Sequence, residues 1–269
     1  PNLYRATISL LSSGEKIDAT EETFGIRSLS IDAKRGLRVN GVETKLRGAC
    51  LHHDSGILGS ATYDDAEFRR IKLLKSAGFN AIRSAHFPLS AAALRACDEL
   101  GVFVMDELTD MWNRGKSAYD YSLFFAEWWR TDAEAMVQKD FNHPSVILYS
   151  IGNEIPEIAT DAGSSLAHEM TSLLRSLDST RFTTAGINGI FAANDFVPKI
   201  MGDVVSRHET GENGGSSGDV NDFMTVMNMY LDEIVVHPLI SARLDKACAA
   251  LDVAGYNYAR RSEERRVGK

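Results

Sequence analysis

Polar residues able to do chemistry recur along this sequence, each group closing a short apolar, β-branched run. KLRGACLHH ends in His52 and His53, followed by Asp54, and NAIRSAH carries Arg83 and His86. VFVMDE ends in Asp106 and Glu107, and SVILYSIGNE in Asn153 and Glu154. ALDVAGYNY ends in Tyr256, Asn257 and Tyr258. Each has a bland alternative: Asp54 or Asp106 as a helix cap, Arg83 in a structural ion pair, a lone histidine as a satisfied polar group, Glu154 as the start of a solvated loop. Taken together, five of six strand ends describe a polar pocket containing carboxylates. Its natural chemistry is proton transfer beside a second, ionised carboxylate, with amides and imidazoles to hold hydroxyls. Cleavage of a glycosidic bond needs that set, and Glu154 at the rim of a buried strand is the candidate acid, with Asn153 beside it for a sugar hydroxyl.

These groups need elements that gather them. The spacing predicts helices over DDAEFRRIKLLKSAG, SAAALRACDELG, FFAEWWRTDAEAMVQKD and GSSLAHEMTSLLRSLD, each lying between two of the strands. FTTAG is a fifth strand whose end offers little. Strands alternating with helices predict a parallel sheet, and the absence of a GxGxxG phosphate loop favours a barrel over a doubly wound sheet. The expected fold is α/β: about six strands of an incomplete (β/α)8 barrel, whose chemistry belongs at the carboxyl ends of its strands. Residues 187 to about 222, rich in Gly and Asn, read as a long loop. Residues 1–30 read as short strands, TISLL and FGIRSLSI, separated by the polar SSGEKIDATEET. LRVNGVETKLRG reads as a hairpin turning at Asn40-Gly41.

Composition bounds the partners. The 269 residues are 44% apolar and 25% charged, with a net charge of -8, which disfavours a nucleic-acid partner because phosphate binding wants clustered cations. No run approaches the roughly 18 apolar residues that span a bilayer, so no membrane association is expected. Cys50, Cys97 and Cys248 lack metal-ligand spacing and suggest neither a disulfide framework nor zinc. The basic RSEERRVGK, residues 261–269, breaks from what precedes it and reads as a non-native tail.

FGIR, LRGACLHHD, NAIRSAHFP, CDELGVFVMDE and HPSVILYSIGNE, in this order along the chain, resemble the motifs of the β-galactosidase and β-glucuronidase family of retaining glycoside hydrolases, glycoside hydrolase family 2. The resemblance extends to about Tyr258. It implies that residues 1–30 are the tail of an immunoglobulin-like β-sandwich domain and residues 31–260 a TIM-barrel catalytic domain truncated before its seventh strand. It implies Glu154 as acid/base, Asn153 as the contact to the sugar 2-hydroxyl, and His52 and His86 as sugar-binding groups. Arg83 would lie near the nucleophile, Tyr258 would bond to it, with Tyr256 as the alternative, and Asp106 would support the site as one of an acidic pair with Glu107. The substrate implied is a β-linked glycoside, a terminal β-D-galactoside first and a β-glucuronide as the alternative.

Two departures from the family pattern stand out. The family nucleophile, a Glu on the seventh strand, is absent, so the chain is expected to be an inactive fragment with unpaired sheet edges, poorly soluble or oligomeric, from a parent that could itself be a homo-oligomer. Some family β-galactosidases hold magnesium through an acidic residue and a His after the third strand. DELTDMWNRG has Met111 and no His there, so no metal and no cofactor are expected. A metal-dependent hydrolase built on His52, His53, His86 and Asp106 would want alternate, not adjacent, histidines. A non-catalytic sugar-binding protein is the third alternative. The compartment stays open, the cytoplasm being favoured.

Overall fold

A computed structural model describes residues 1–208 and 229–258. The chain opens with a long antiparallel hairpin, β1 (Leu3–Ser12) against β2 (Glu15–Gly25), turning at Ser13 and Gly14, both at positive φ. The expected polar connection SSGEKIDATEET is therefore corrected, because from Glu15 onward it is β2 itself. Nearly every residue of the hairpin is exposed, and a strand with no buried face has no alternation to reveal it. A small antiparallel sheet follows: β3 (Leu29–Asp32), β4 (Gly36–Val39) and β5 (Val42–Glu43). Asn40 and Gly41, at φ 51° and 78°, make its two-residue turn as expected. The expected division at residue 30 lies within β3.

Six parallel strands come next, hydrogen-bonded in sequence order: β6 (Gly48–His52), β7 (Ala81–Ala85), β8 (Phe103–Glu107), β9 (Val146–Asn153), β10 (Phe182–Ile187) and β11 (Val253–Tyr256). Helices α1 (Asp64–Ser76), α2 (Ala91–Leu100), α3 (Ser122–Asp140) and α4 (Asp161–Leu177) return the chain between the first five. This is the incomplete α/β barrel that the alternation predicts. Every residue of β9 is buried, whereas β6 and β11, at the two sides of the arc, are partly exposed. The core lies between sheet and helices, where Ile71, Leu94, Phe125, Met136, Val146 and Leu174 are all but inaccessible.

Between β10 and β11 the expectation of a long loop fails for residues 189–208. They form α5 (Gly189–Ala192), a short 3-10 turn and α6 (Val197–His208). Val197, Ile200, Met201 and Val204 are buried at helical spacing, a pattern masked by the Gly and Asn content around it. ENGGSSGD lies outside the described residues, as does the tail from residue 261. After residue 228 come α7 (Leu231–Ile234) and α8 (Pro238–Cys248), which starts with Pro at its first turn and the His237 side chain as cap.

The base of β9 is fastened by two arginines. Arg181 is buried, and its guanidinium ion-pairs with Asp178 and donates to the carbonyls of Asp140, Phe141, His143 and Val146. Arg27, of the FGIR segment, donates to Pro144 O at 2.7 Å and Val146 O at 2.5 Å. Burial, then the neighbouring Arg181, lowers its pKa to about 10. The hairpin thus leads into the barrel through main-chain acceptors at the strand that carries Glu154.

Candidate active site

Arg83, projecting from β7, is the hub. Its Nη2 donates to Glu107 Oε2 at 2.7 Å and Asn153 Oδ1 at 2.9 Å, its Nε to the same Glu107 oxygen at 3.1 Å, and its Nη1 to Asn257 Oδ1 at 3.0 Å. Glu107 is fully buried; its Oε2 also accepts from Ser150 Oγ at 2.6 Å, and its Oε1 lies 2.6 Å from His86 Nδ1. An ion-paired carboxylate is an acceptor, so His86 donates through Nδ1 and keeps Nε2 for another contact. His52 packs edge-on against His86, with ring centroids 5.2 Å apart.

A change of register brings Asn153 to the same face. Ser150 pairs with Thr184, but Asn153 pairs with Gly186, so β9 advances three residues while β10 advances two. One extra residue reverses the alternation of a strand. Ser150 and Asn153 therefore both reach the Arg83 cluster, which strict alternation forbids. Beyond the bulge Glu154 takes φ 47°, and its N–H donates to Gly186 O at 2.6 Å. Its Oε1 accepts from Asn188 Nδ2 at 3.1 Å and from Asn257 Nδ2 at 3.2 Å. No donor among the described residues reaches Oε2. Asn257 Nδ2 also donates to Asn153 Oδ1 at 2.8 Å, so one amide joins acid, amide and arginine.

A third layer comes from the β8–α3 connection. Asp110 Oδ1 accepts from Asn153 Nδ2 at 2.8 Å and from Lys116 Nζ at 2.6 Å. Burial pushes its carboxyl upward, but the bonds from Lys116 and Asn153 outweigh this and hold its pKa below the ordinary value.

The structure thus brings Glu154, Asn153, Arg83, His86 and His52 to one end of the sheet. Tyr258 follows Asn257 and lines a cavity with Ile187, Asn188 and Asn257. Asp106 is the exception, and its expected place in the site is corrected. Neighbours on a strand face opposite ways, so with Glu107 inward Asp106 points to the helices. There it accepts from Leu89 N at 2.8 Å and meets Lys139 Nζ at 3.0 Å. His53 likewise turns from His52, its Nε2 lying 3.1 Å from Pro88 O. Among the described residues no three His, Cys, Asp or Glu side chains converge on a point a metal could occupy.

Comparison with known proteins shows the family. The family model for the TIM barrel domain of glycosyl hydrolases family 2 matches residues 31–213, well over half of the chain. This chain belongs to glycosyl hydrolase family 2. The β-galactosidase BoGH2A of Bacteroides ovatus is 36% identical over 219 residues, 70% of this chain and 26% of that protein. A β-glucuronidase of Bacteroides fragilis is 27% identical over 190 residues, 70% of this chain and 27% of that protein. The crystal structure of a family 2 member from Bacteroides cellulosilyticus superposes with a TM-score of 0.73 at 37% identity, covering 95% of this chain and 27% of that one. The chain spans about a quarter of the length of these family 2 relatives.

Three residues of this candidate site, Asn188, Asp110 and Lys116, escape a reading by strand ends, and a fourth, Asn257, is named by it without a role. Asn188 follows the fifth strand, which runs to Ile187, beyond the expected FTTAG, and it also caps α5. Its signal was an Asn directly after an apolar strand, as at Asn153. Asn257 stands among the strand-end residues, between two tyrosines that drew the attention. Asp110 and Lys116 lie in an irregular connection, where period carries no signal.

Proposed function

We propose that this chain carries the acid/base half of a retaining β-glycosidase, with Glu154 as the proton donor. The observation that carries this reading is the two-amide grip on Glu154 Oε1. It fixes one carboxylate oxygen and leaves the other to meet a leaving group. In the reaction Glu154 gives its proton to the bridging oxygen as the aglycone departs, and a second carboxylate attacks the anomeric carbon. Glu154 then takes a proton from the water that releases the sugar. The family resemblance assigns the attacking Glu to the strand following GYNY. Asn153 has one amide hydrogen on Asp110 and a second for a sugar hydroxyl, and His52, His86 and Tyr258 flank the sugar. Residues 1–30 are, on the same resemblance, the end of a preceding β-domain.

The substrate is a β-galactoside in this proposal. Recognising a glucuronide wants a cation to meet the sugar carboxylate, and among the described residues the cations at the site, Arg83 and Lys116, are paired with Glu107 and Asp110. The test uses the gene product that carries this chain. Glu154→Gln lowers kcat/KM on alkyl β-galactosides by about 10²–10⁴-fold and far less on a dinitrophenyl β-galactoside, whose aglycone needs no proton. Azide restores turnover to Glu154→Ala and gives the β-galactosyl azide. Undiminished alkyl galactoside hydrolysis by Glu154→Gln refutes the assignment, and faster hydrolysis of the matching glucuronide refutes the sugar.

A further inference from the structure

The peptide joining Asn153 to Glu154 is gripped at both ends. Its N–H donates to Gly186 O at 2.6 Å, and its carbonyl accepts from Lys116 Nζ at 2.8 Å. The same ammonium is 2.6 Å from Asp110 Oδ1, the oxygen that also takes the Asn153 amide. Lys116 and Asp110 therefore hold Asn153 by its main chain and its side chain at once. The next residue, Glu154, is at φ 47°. A non-glycine residue keeps that conformation only where its surroundings over-determine it.

Lys116 is itself built in. Asp120 Oδ2 accepts from Lys116 N at 2.6 Å and Ser117 N at 2.8 Å, while its Oδ1 accepts from Ser122 N and Oγ. A Cβ on Gly115 would stand 2.7 Å from Ser122 Oγ, so the turn that aims Lys116 closes tightly on a glycine. An exposed ion pair is worth little. The Lys116 and Asp110 side chains are only 26% and 25% exposed, and the lysine's second bond goes to the main chain directly before the acid.

We propose that Lys116, supported by Asp110, is a positioning residue for proton donation: it clamps the Asn153–Glu154 peptide and so fixes the left-handed turn that aims the Glu154 carboxyl. This rests on Glu154 being the acid/base. The clamp acts on the step that needs the proton, so its loss falls on kcat with poor leaving groups while the sugar contacts, and with them KM, are retained.

The test compares Lys116→Met and Lys116→Arg in the gene product that carries this chain. Lys116→Met lowers kcat for alkyl β-glycosides about 100-fold, the scale of a small misplacement of a catalytic group. It changes KM for these substrates less than about threefold and leaves kcat/KM for dinitrophenyl glycosides, which reports only the first step and needs no proton, nearly unaffected. Lys116→Arg, which keeps a donor within reach of the carbonyl, recovers most of the loss. In a crystal structure of Lys116→Met, Glu154 leaves the left-handed region. Unchanged kcat on alkyl glycosides, an equal loss of kcat/KM on both leaving groups, or a Glu154 φ still near its present value each overturn the proposal. If Lys116→Met does not fold, Lys116→Arg and Asp110→Asn decide: a leaving-group-dependent fall in kcat for Asp110→Asn supports it, and none refutes it. Failure of azide rescue in Glu154→Ala would instead remove the acid/base reading, so the two failures are distinct.

Discussion

Gly186 shows how little slack the site has. A Cβ there would lie 2.2 Å from Arg83 Nη2 and 2.8 Å from its Cζ, too near for any side chain and set against a guanidinium held by four bonds. Gly186→Ala must therefore displace Arg83, and the bonds to Asn153 and Asn257 are lost with it. The expected result is a fall in kcat of about 10²-fold with the fold intact, since the collision is with a side chain at the end of the sheet. Steady-state kinetics beside circular dichroism checks this, and wild-type kcat would contradict it. In the candidate site Glu154, Asn153 and His86 were legible because each lies at the end of an apolar strand, and Arg83 because it is the one charge inside such a strand. Gly186 was not, because a residue that acts by having no side chain carries no chemical signature.

The elements explain which further readings held. Helices α1 to α4 follow from apolar spacing because each buries one face against the sheet, and β7 to β9, buried on both faces, read as short apolar runs. β2 buries neither face, and α6 hides its stripe in a Gly- and Asn-rich segment, so both were misread. Asp106 is different: the strand-end reading and the resemblance both paired it with Glu107, though the alternation that defines β8 already separates the two. The bulge in β9 could not be read at all, since it exists only in the pairing of two strands. That strand depends on Arg181, which collects carbonyls from four residues below it while paired with the buried Asp178. Arg181→Met strands that carboxylate and frees those acceptors, at a cost of about 3–5 kcal/mol. Urea unfolding measures the loss, and a change under about 1 kcal/mol would mean that water replaces the guanidinium at no cost.

Over the whole molecule, polar groups divide between the two faces of the sheet. The face inside the arc gathers the site, and the face behind it buries Asp106 and Asp140 around Lys139. Asp140 is fully buried, and among the described residues its Oδ2 has no hydrogen-bond partner. Burial first, then the nearby Asp106 charge, raises its pKa well above the ordinary 3.8, against the pull of Lys139. A carboxyl whose folded pKa is raised contributes stability that is fully present below its unfolded pKa and lost as pH climbs through the folded one. The protein carries this penalty at neutral and alkaline pH, on the far side of the sheet from Glu154. Asp140→Asn removes the ionisation and keeps the shape. It should raise stability at pH 8 by on the order of 1 kcal/mol, the scale of one unsatisfied buried polar group, and the gain should shrink to nothing as pH falls to 3.8. Thermal melts of both proteins across that range, with activity followed at one pH, separate this from a general effect. A gain independent of pH, or one that grows in acid, would show that Asp140 does not titrate as its surroundings require.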